Sequence, residues 1–190
     1  MELVESAVRD FRRTLDDNGF QASLGNSAAI TRGSDKKVGR RVALTFPNHL
    51  RPTIPSINDQ PYLSELVASG RWTEVCLPIG EDGTLVTSAC FYGISRASTD
   101  SHCATLNERL LAAALARALS AGTAPYFLFM DANTTPSRSY AFSISLGHNR
   151  LTDLAESWSR DESPSPTYCF GSITEPLVHD SPNTSRLEYA

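Results

Sequence analysis

The chain has no basic excess, no cysteine pair at metal-binding or redox spacing, and no long apolar run. Each absence removes a class of protein. The net charge is -4, whereas a non-specific nucleic-acid binder more often carries a basic surface. A metal-dependent nuclease survives this test, because its metal site needs carboxylates. Cys76, Cys90, Cys103 and Cys169 form no C-x-x-C pair, which disfavours a zinc or thioredoxin-type centre. Cys76 and Cys90 lie in apolar runs and are expected as buried, reduced thiols. No window approaches the roughly 18 apolar residues of a membrane span. Met1 to Asp17 is charged and has no signal-peptide core, so an intracellular, reducing compartment is expected. His49, His102, His148 and His179 show neither i+4 pairing nor an acidic flank. They read as solvated loop histidines.

What is present is a mixed α/β pattern. With 190 residues and 41% apolar content, a single domain over 1–190 with its own core is the natural expectation. Leu3, Val4, Ala7, Val8, Phe11 and Leu15 make Met1 to Asp17 an amphipathic helix, closed by Gly19. Leu24 to Thr31 and Arg41 to Phe46 read as a hairpin joined by a polar linker from Arg32 to Arg40. Pro47 to Pro61 reads as a loop and Pro61 to Ser69 as a short helix. Trp72 to Leu77 and Thr84 to Gly93 read as a second hairpin, with Pro78 and Gly80 to Gly83 in its turn. Ala104 to Ala121 is a helix with an apolar stripe, Leu110, Leu111, Ala114, Leu115, Ala118 and Leu119. Thr105 and Glu108 have capping-box spacing at its start, and Gly122 ends it. Tyr126 to Met130 reads as a strand buried on both faces. Leu151 to Trp158 reads as a short helix, Arg160 to Pro166 as a polar linker, and Arg186 to Ala190 as a last strand.

The most telling stretch is Phe127-Leu128-Phe129-Met130-Asp131-Ala132-Asn133-Thr134-Thr135-Pro136. A buried strand runs into an Asp-x-Asn pair, and open α/β sheets place their chemistry at such strand ends. A carboxylate there holds a divalent metal or orients a water, which suits Asp131. An amide two residues on, Asn133, donates to a phosphate oxygen. The plainer alternative is a turn, since Asp and Asn commonly follow strands as caps. Tyr92 ends the preceding strand, from where its hydroxyl reaches toward Asp131; the alternative is an aromatic packed at a sheet edge. In the tail, Arg186 and Glu188 share a strand face. They suit a phosphate and its metal shell, or else a weak surface ion pair. Lys36, Lys37, Arg40 and Arg41 form a small basic cluster that suits contact with a nucleic-acid backbone, or else, as such runs more often are, a solvated hairpin turn.

Taken in order, these segments resemble endonuclease/exonuclease/phosphatase domains. The carrying residues are Val86 to Tyr92 and Gly93, Asn107 to Leu111, Tyr126 through Asp131 and Asn133 to Pro136, Pro166 to Tyr168, and Ser185 to Tyr189. The run around Asp131 is similar to that family's Gly-Asp-Phe-Asn-x-x-Pro motif. The tail is similar to its Arg-Ile-Asp-Tyr motif, and Tyr92-Gly93 to its Tyr-Gly-Pro strand end. Gly70-Arg71-Trp72 and Thr167-Tyr168-Cys169 resemble retrotransposon-like members.

The resemblance implies an α/β fold, a DNase I-like four-layer sandwich of two mixed β-sheets flanked by helices, here incomplete at both ends. It implies a phosphodiesterase dependent on Mg2+ or Mn2+, of the retroelement DNA-endonuclease type, nuclear in location, and fused to or encoded beside a reverse transcriptase. It assigns Asp131 to the attacking water or the metal, Asn133 to the scissile phosphate, and Tyr92 to the phosphate or leaving group. It places Arg186 and Glu188 near the metal. Met130 stands where the motif has glycine, and Glu188 where it has Asp. The family's Gln-Glu and Ser-Asp-His segments have no counterpart in the 190 residues, so an inactive or impaired enzyme is expected. A non-catalytic remnant or binding module of the same fold is the alternative, and a small-molecule or lipid phosphatase is a further one. A haloacid-dehalogenase-like phosphatase also has an Asp loop after a strand, but that loop follows its first strand.

Overall fold

The computed structural model describes residues 2–25, 29–32, 35–38, 42–55, 61–79, 83–147, 151–152, 154, 168–169, 184–185 and 188–189. The architecture is α/β, and the chain divides into two compact units. One comprises Met1–Cys90 with Ala121–Phe127, the other Phe91–Ser120 with Leu128–Ala190.

The first unit opens with helix α1, Glu2–Asp17. Its turn closes through the Asn18 and Gly19 N–H groups, which donate to the Leu15 and Asp16 carbonyls. Strand β1, Phe20–Leu24, follows and pairs antiparallel with β4, Ala43–Pro47, in the register Phe20 to Pro47 through Leu24 to Ala43. The expected hairpin is therefore shifted. The first strand ends at Leu24 instead of starting there, and the polar linker itself contains strand β3. That strand, Asp35–Val38, pairs antiparallel with β2, Ala29–Arg32.

Helix α2, Pro61–Ala68, forms where expected and buries Leu63 and Leu66. It packs on β5, Trp72–Pro78. Phe46, Val75 and Leu77 form a core cluster with Leu44 and Leu50 against it. Burial of each such side chain contributes roughly 1.5–3 kcal/mol. The loop before α2 is not purely irregular. Thr53 and Cys76 exchange both backbone hydrogen bonds, at 2.9 and 2.8 Å. Strand β6, Leu85–Tyr92, completes the expected hairpin with β5, and Pro78 ends the strand instead of entering the turn.

The second unit is organised by helix α3, Ser101–Leu119. It begins three residues before the sequence-based boundary. The N-cap is Asp100, whose carboxylate accepts from the His102 and Cys103 N–H groups at 2.9 and 3.0 Å. The capping-box expectation for Thr105 and Glu108 is overturned. Thr105 Oγ1 donates back to the Ser101 carbonyl inside the helix, and Glu108 serves a different helix. At the far end Gly122, with φ of 64°, takes the left-handed turn that a side chain would resist.

Strand β7, Tyr126–Asp131, has the expected bounds but not the expected burial. Leu128 and Met130 are buried, whereas Phe127 and Phe129 are 42% and 44% exposed. A short 3-10 turn, Pro136–Arg138, leads to helix α4, Tyr140–Gly147, which the sequence reading missed. Its cap is Ser139, a buried residue whose Oγ accepts from the Phe142 N–H. The core of this unit gathers Phe91, Leu110, Leu111, Leu115, Leu128, Met130 and Phe142. Strands β8, Tyr168–Cys169, and β9, Thr184–Ser185, pair antiparallel. Strand β10, Glu188–Tyr189, pairs antiparallel with β7, which gives the sheet order β10-β7-β6-β5. The helix expected from Leu151 to Trp158 and the linker from Arg160 to Pro166 fall mostly or wholly outside the described residues.

Candidate functional site

Two backbone hydrogen bonds define how β6 and β7 meet. Thr87 N donates to the Pro125 carbonyl, and Gly93 N donates to the Asp131 carbonyl. Donor and acceptor advance together along both chains, so the strands run parallel, with α3 as the crossover between them. Parallel strands end on the same edge. Tyr92-Gly93 and Asp131-Asn133 are therefore neighbours at the C-terminal edge, where open α/β sheets bind ligands.

The approach of these ends is close. A Cβ at Gly93 would overlap the Ala132 carbonyl and stand 2.8 Å from Asn107 Oδ1. Only glycine fits there. Asn107, 2% exposed, lies between the two loops. Its Oδ1 accepts from Ile94 N at 2.6 Å and its Nδ2 donates to the Ala132 carbonyl at 2.9 Å. One buried carboxamide thus serves a donor on one strand end and an acceptor on the other.

Asn133 adopts the left-handed conformation, with φ of 49°. Asparagine tolerates this better than most residues. Its N–H donates to Asp131 Oδ1 at 3.1 Å, an Asx turn, and its Nδ2 donates to the Gly93 carbonyl at 3.1 Å. Both candidate residues are half-buried, and both also hold the loop. The Tyr92 hydroxyl lies 3.5 Å from Ser95 Oγ, a contact at the limit of hydrogen bonding. Backbone register sets Glu188 opposite Asp131 across the β7–β10 pair. Arg186 lies outside the described residues.

A second tie comes from the next residue of α3. Glu108 accepts from the Ala141 N–H at 2.7 Å, capping α4 from a neighbouring helix. Asn107 and Glu108 therefore hold Ala132 and Ala141, the two ends of the segment that carries Asn133.

Among the described residues no three His, Cys, Asp or Glu side chains gather as a metal site. Mg2+ is commonly held by one or two carboxylates together with water and substrate phosphate. Burial pushes the Cys90 thiol up, two residues before Tyr92. Cys76 and Cys90 are free and half-buried, not fully enclosed. The Cys103 N–H, aided by that of His102, holds the Asp100 carboxyl below the usual range. Among the described residues no helix is long and apolar enough to cross a membrane.

Sequence reasoning singled out Tyr92, Asp131 and Asn133 as candidates, and named Asn107 only as the start of a helical segment, with no role. A signal was present, because Asn107 continues the apolar stripe of Leu110, Leu111 and Ala114 at helical spacing. The chain matches no protein-family model and no curated protein.

Proposed function

We propose that the β6–β7 edge is the phosphate-facing part of a metal-dependent phosphodiesterase site, of the retroelement DNA-endonuclease type. The observation that carries this reading is the Gly93 N to Asp131 O bond, which brings Tyr92, Asp131 and Asn133 to one strand edge. Asp131 orients the attacking water or binds Mg2+ or Mn2+, an ion that would polarise the phosphoryl oxygen. Asn133 contacts the scissile phosphate, Tyr92 hydrogen-bonds the phosphate or leaving group, and Arg186 and Glu188 stand near the metal shell. The complete fold in this reading is a four-layer DNase I-like sandwich, the substrate is nuclear DNA, and a reverse transcriptase acts alongside. The sequence holds neither a Gln-Glu pair nor a Ser-Asp-His triplet, so the expected rate is low.

The test is nicking of supercoiled plasmid by the 190-residue chain in Mg2+ and in Mn2+. The expected result is slow nicking that EDTA stops and Asp131→Ala abolishes. Nicking that persists in Asp131→Ala, or none from a folded chain, overturns the catalytic reading. A second reading, a non-catalytic binding module, has its own support. Asp131 Oδ1 and Asn133 Nδ2 are already engaged in holding the loop.

A further inference from the structure

We infer that Asn107 is the positioning residue of this edge, holding Asn133 in the conformation from which it meets a phosphate oxygen. The inference rests on the reading of the strand ends as a phosphate-ester site. The two side-chain hydrogen bonds of Asn107 go to neither the Asp131 nor the Asn133 side chain; they act on the backbone of Ile94 and Ala132. Three hydrogen bonds close a ring. Asn107 Nδ2 holds the Ala132 carbonyl, Asn133 Nδ2 holds the Gly93 carbonyl, and Ile94 N returns to Asn107 Oδ1. Removing Asn107 deletes two of the three bonds. The left-handed backbone of Asn133 then loses the ring that opposes its relaxation.

The identity of the residue is specific. The ring needs a donor and an acceptor on opposite sides of one planar group. Aspartate supplies the acceptor without the donor. Glutamine adds a methylene at a position that is almost wholly buried. Alanine supplies neither group.

Heteronuclear NMR of the full 190-residue chain tests this. In Asn107→Ala, the Asn133 Cα and Cβ shifts should leave their left-handed values. The Ile94 amide should exchange roughly tenfold faster, as expected for one lost hydrogen bond. Val75 and Leu77 amides, in the other unit, should not change. Asn107→Asp should keep Ile94 within a few-fold of wild type while still moving the Asn133 shifts, which assigns a role to each carboxamide atom. Unchanged Asn133 shifts in either folded variant overturn the inference. Should neither variant fold, the wild-type chain decides. Slow exchange of the Asn107 side-chain amide with left-handed Asn133 shifts supports the inference, and fast exchange or extended shifts overturn it. Plasmid nicking is scored separately: no nicking with these shifts intact sinks the phosphodiesterase reading and leaves the positioning of Asn133 standing.

Discussion

Replacing Asn107 by leucine keeps the forked shape of the side chain, with somewhat more bulk, but removes both atoms that hold the strand ends. The Ala132 carbonyl belongs to a fully buried residue, so water does not replace its lost donor. Ile94 is half-buried, and water recovers part of the second loss. A buried group left unsatisfied costs roughly 1–3 kcal/mol, so the two together predict a loss of about 2–4 kcal/mol. Domains are typically stable by about 5–15 kcal/mol, which makes this a large effect from one side chain. Urea unfolding followed by far-UV circular dichroism reads it as a lower midpoint at unchanged slope. Asn107→Asp adds a sign test. Its second oxygen would face the Ala132 carbonyl oxygen, so the folded state disfavours the charged form and raises the pKa above its unfolded value. Relative to wild type at each pH, the variant should be least impaired below about pH 3.9. It should lose stability as pH rises through the folded pKa. A leucine variant within about 0.5 kcal/mol of wild type would refute the argument. So would an aspartate variant whose deficit does not change with pH.

Gly93→Ala places a methyl group against the Ala132 carbonyl, and a loss of about 1–3 kcal/mol in chemical unfolding is expected. The two faces of β7 should respond differently: Leu128→Ala should cost about 2–5 kcal/mol, and Phe129→Ser clearly less, in thermal or urea unfolding. Equal losses would restore the picture of a strand buried on both sides. Asp100 has a lowered pKa in the folded chain, so its contribution is present above the unfolded value and is lost as pH falls through the folded one. Asp100→Ala should flatten the acid limb of the stability profile, and an unaltered limb would count against the cap.

The long elements were legible because their periodicity is strong, as in the stripe of α3 from Leu110 to Ala118. The errors share a cause, which is that tertiary partners decide between locally equivalent readings. Phe127 to Met130 is a continuous apolar run, and such a run does not by itself distinguish a two-sided burial from a one-sided one. Thr105 and Glu108 have capping-box spacing, yet Asp100 lies where the chain turns, and Glu108 is drawn away to α4. Helix α4 buries Phe142 and Ser145, a polar residue at a core position, so its pattern carries little amphipathic signal. The meeting of the two strand ends was legible from Gly93 and the Asp131-Ala132-Asn133 run. The helical spacing of Asn107 marks a buried polar position, but its part in joining the two ends was not legible, because its bonds to Ile94 and Ala132 exist only once β6 and β7 lie side by side.

The double tie of α3 gives the chain between Ala132 and Ala141 the character of a handle fixed at both ends. Lengthening such a loop is thermodynamically mild, about 0.6 kcal/mol for each doubling, because its ends are already brought together. The stretch from Thr134 to Arg138 is therefore where this fold can accept inserted residues while Asn133 stays in place. Loops of different length can be carried on that handle without disturbing the pair of residues that holds it.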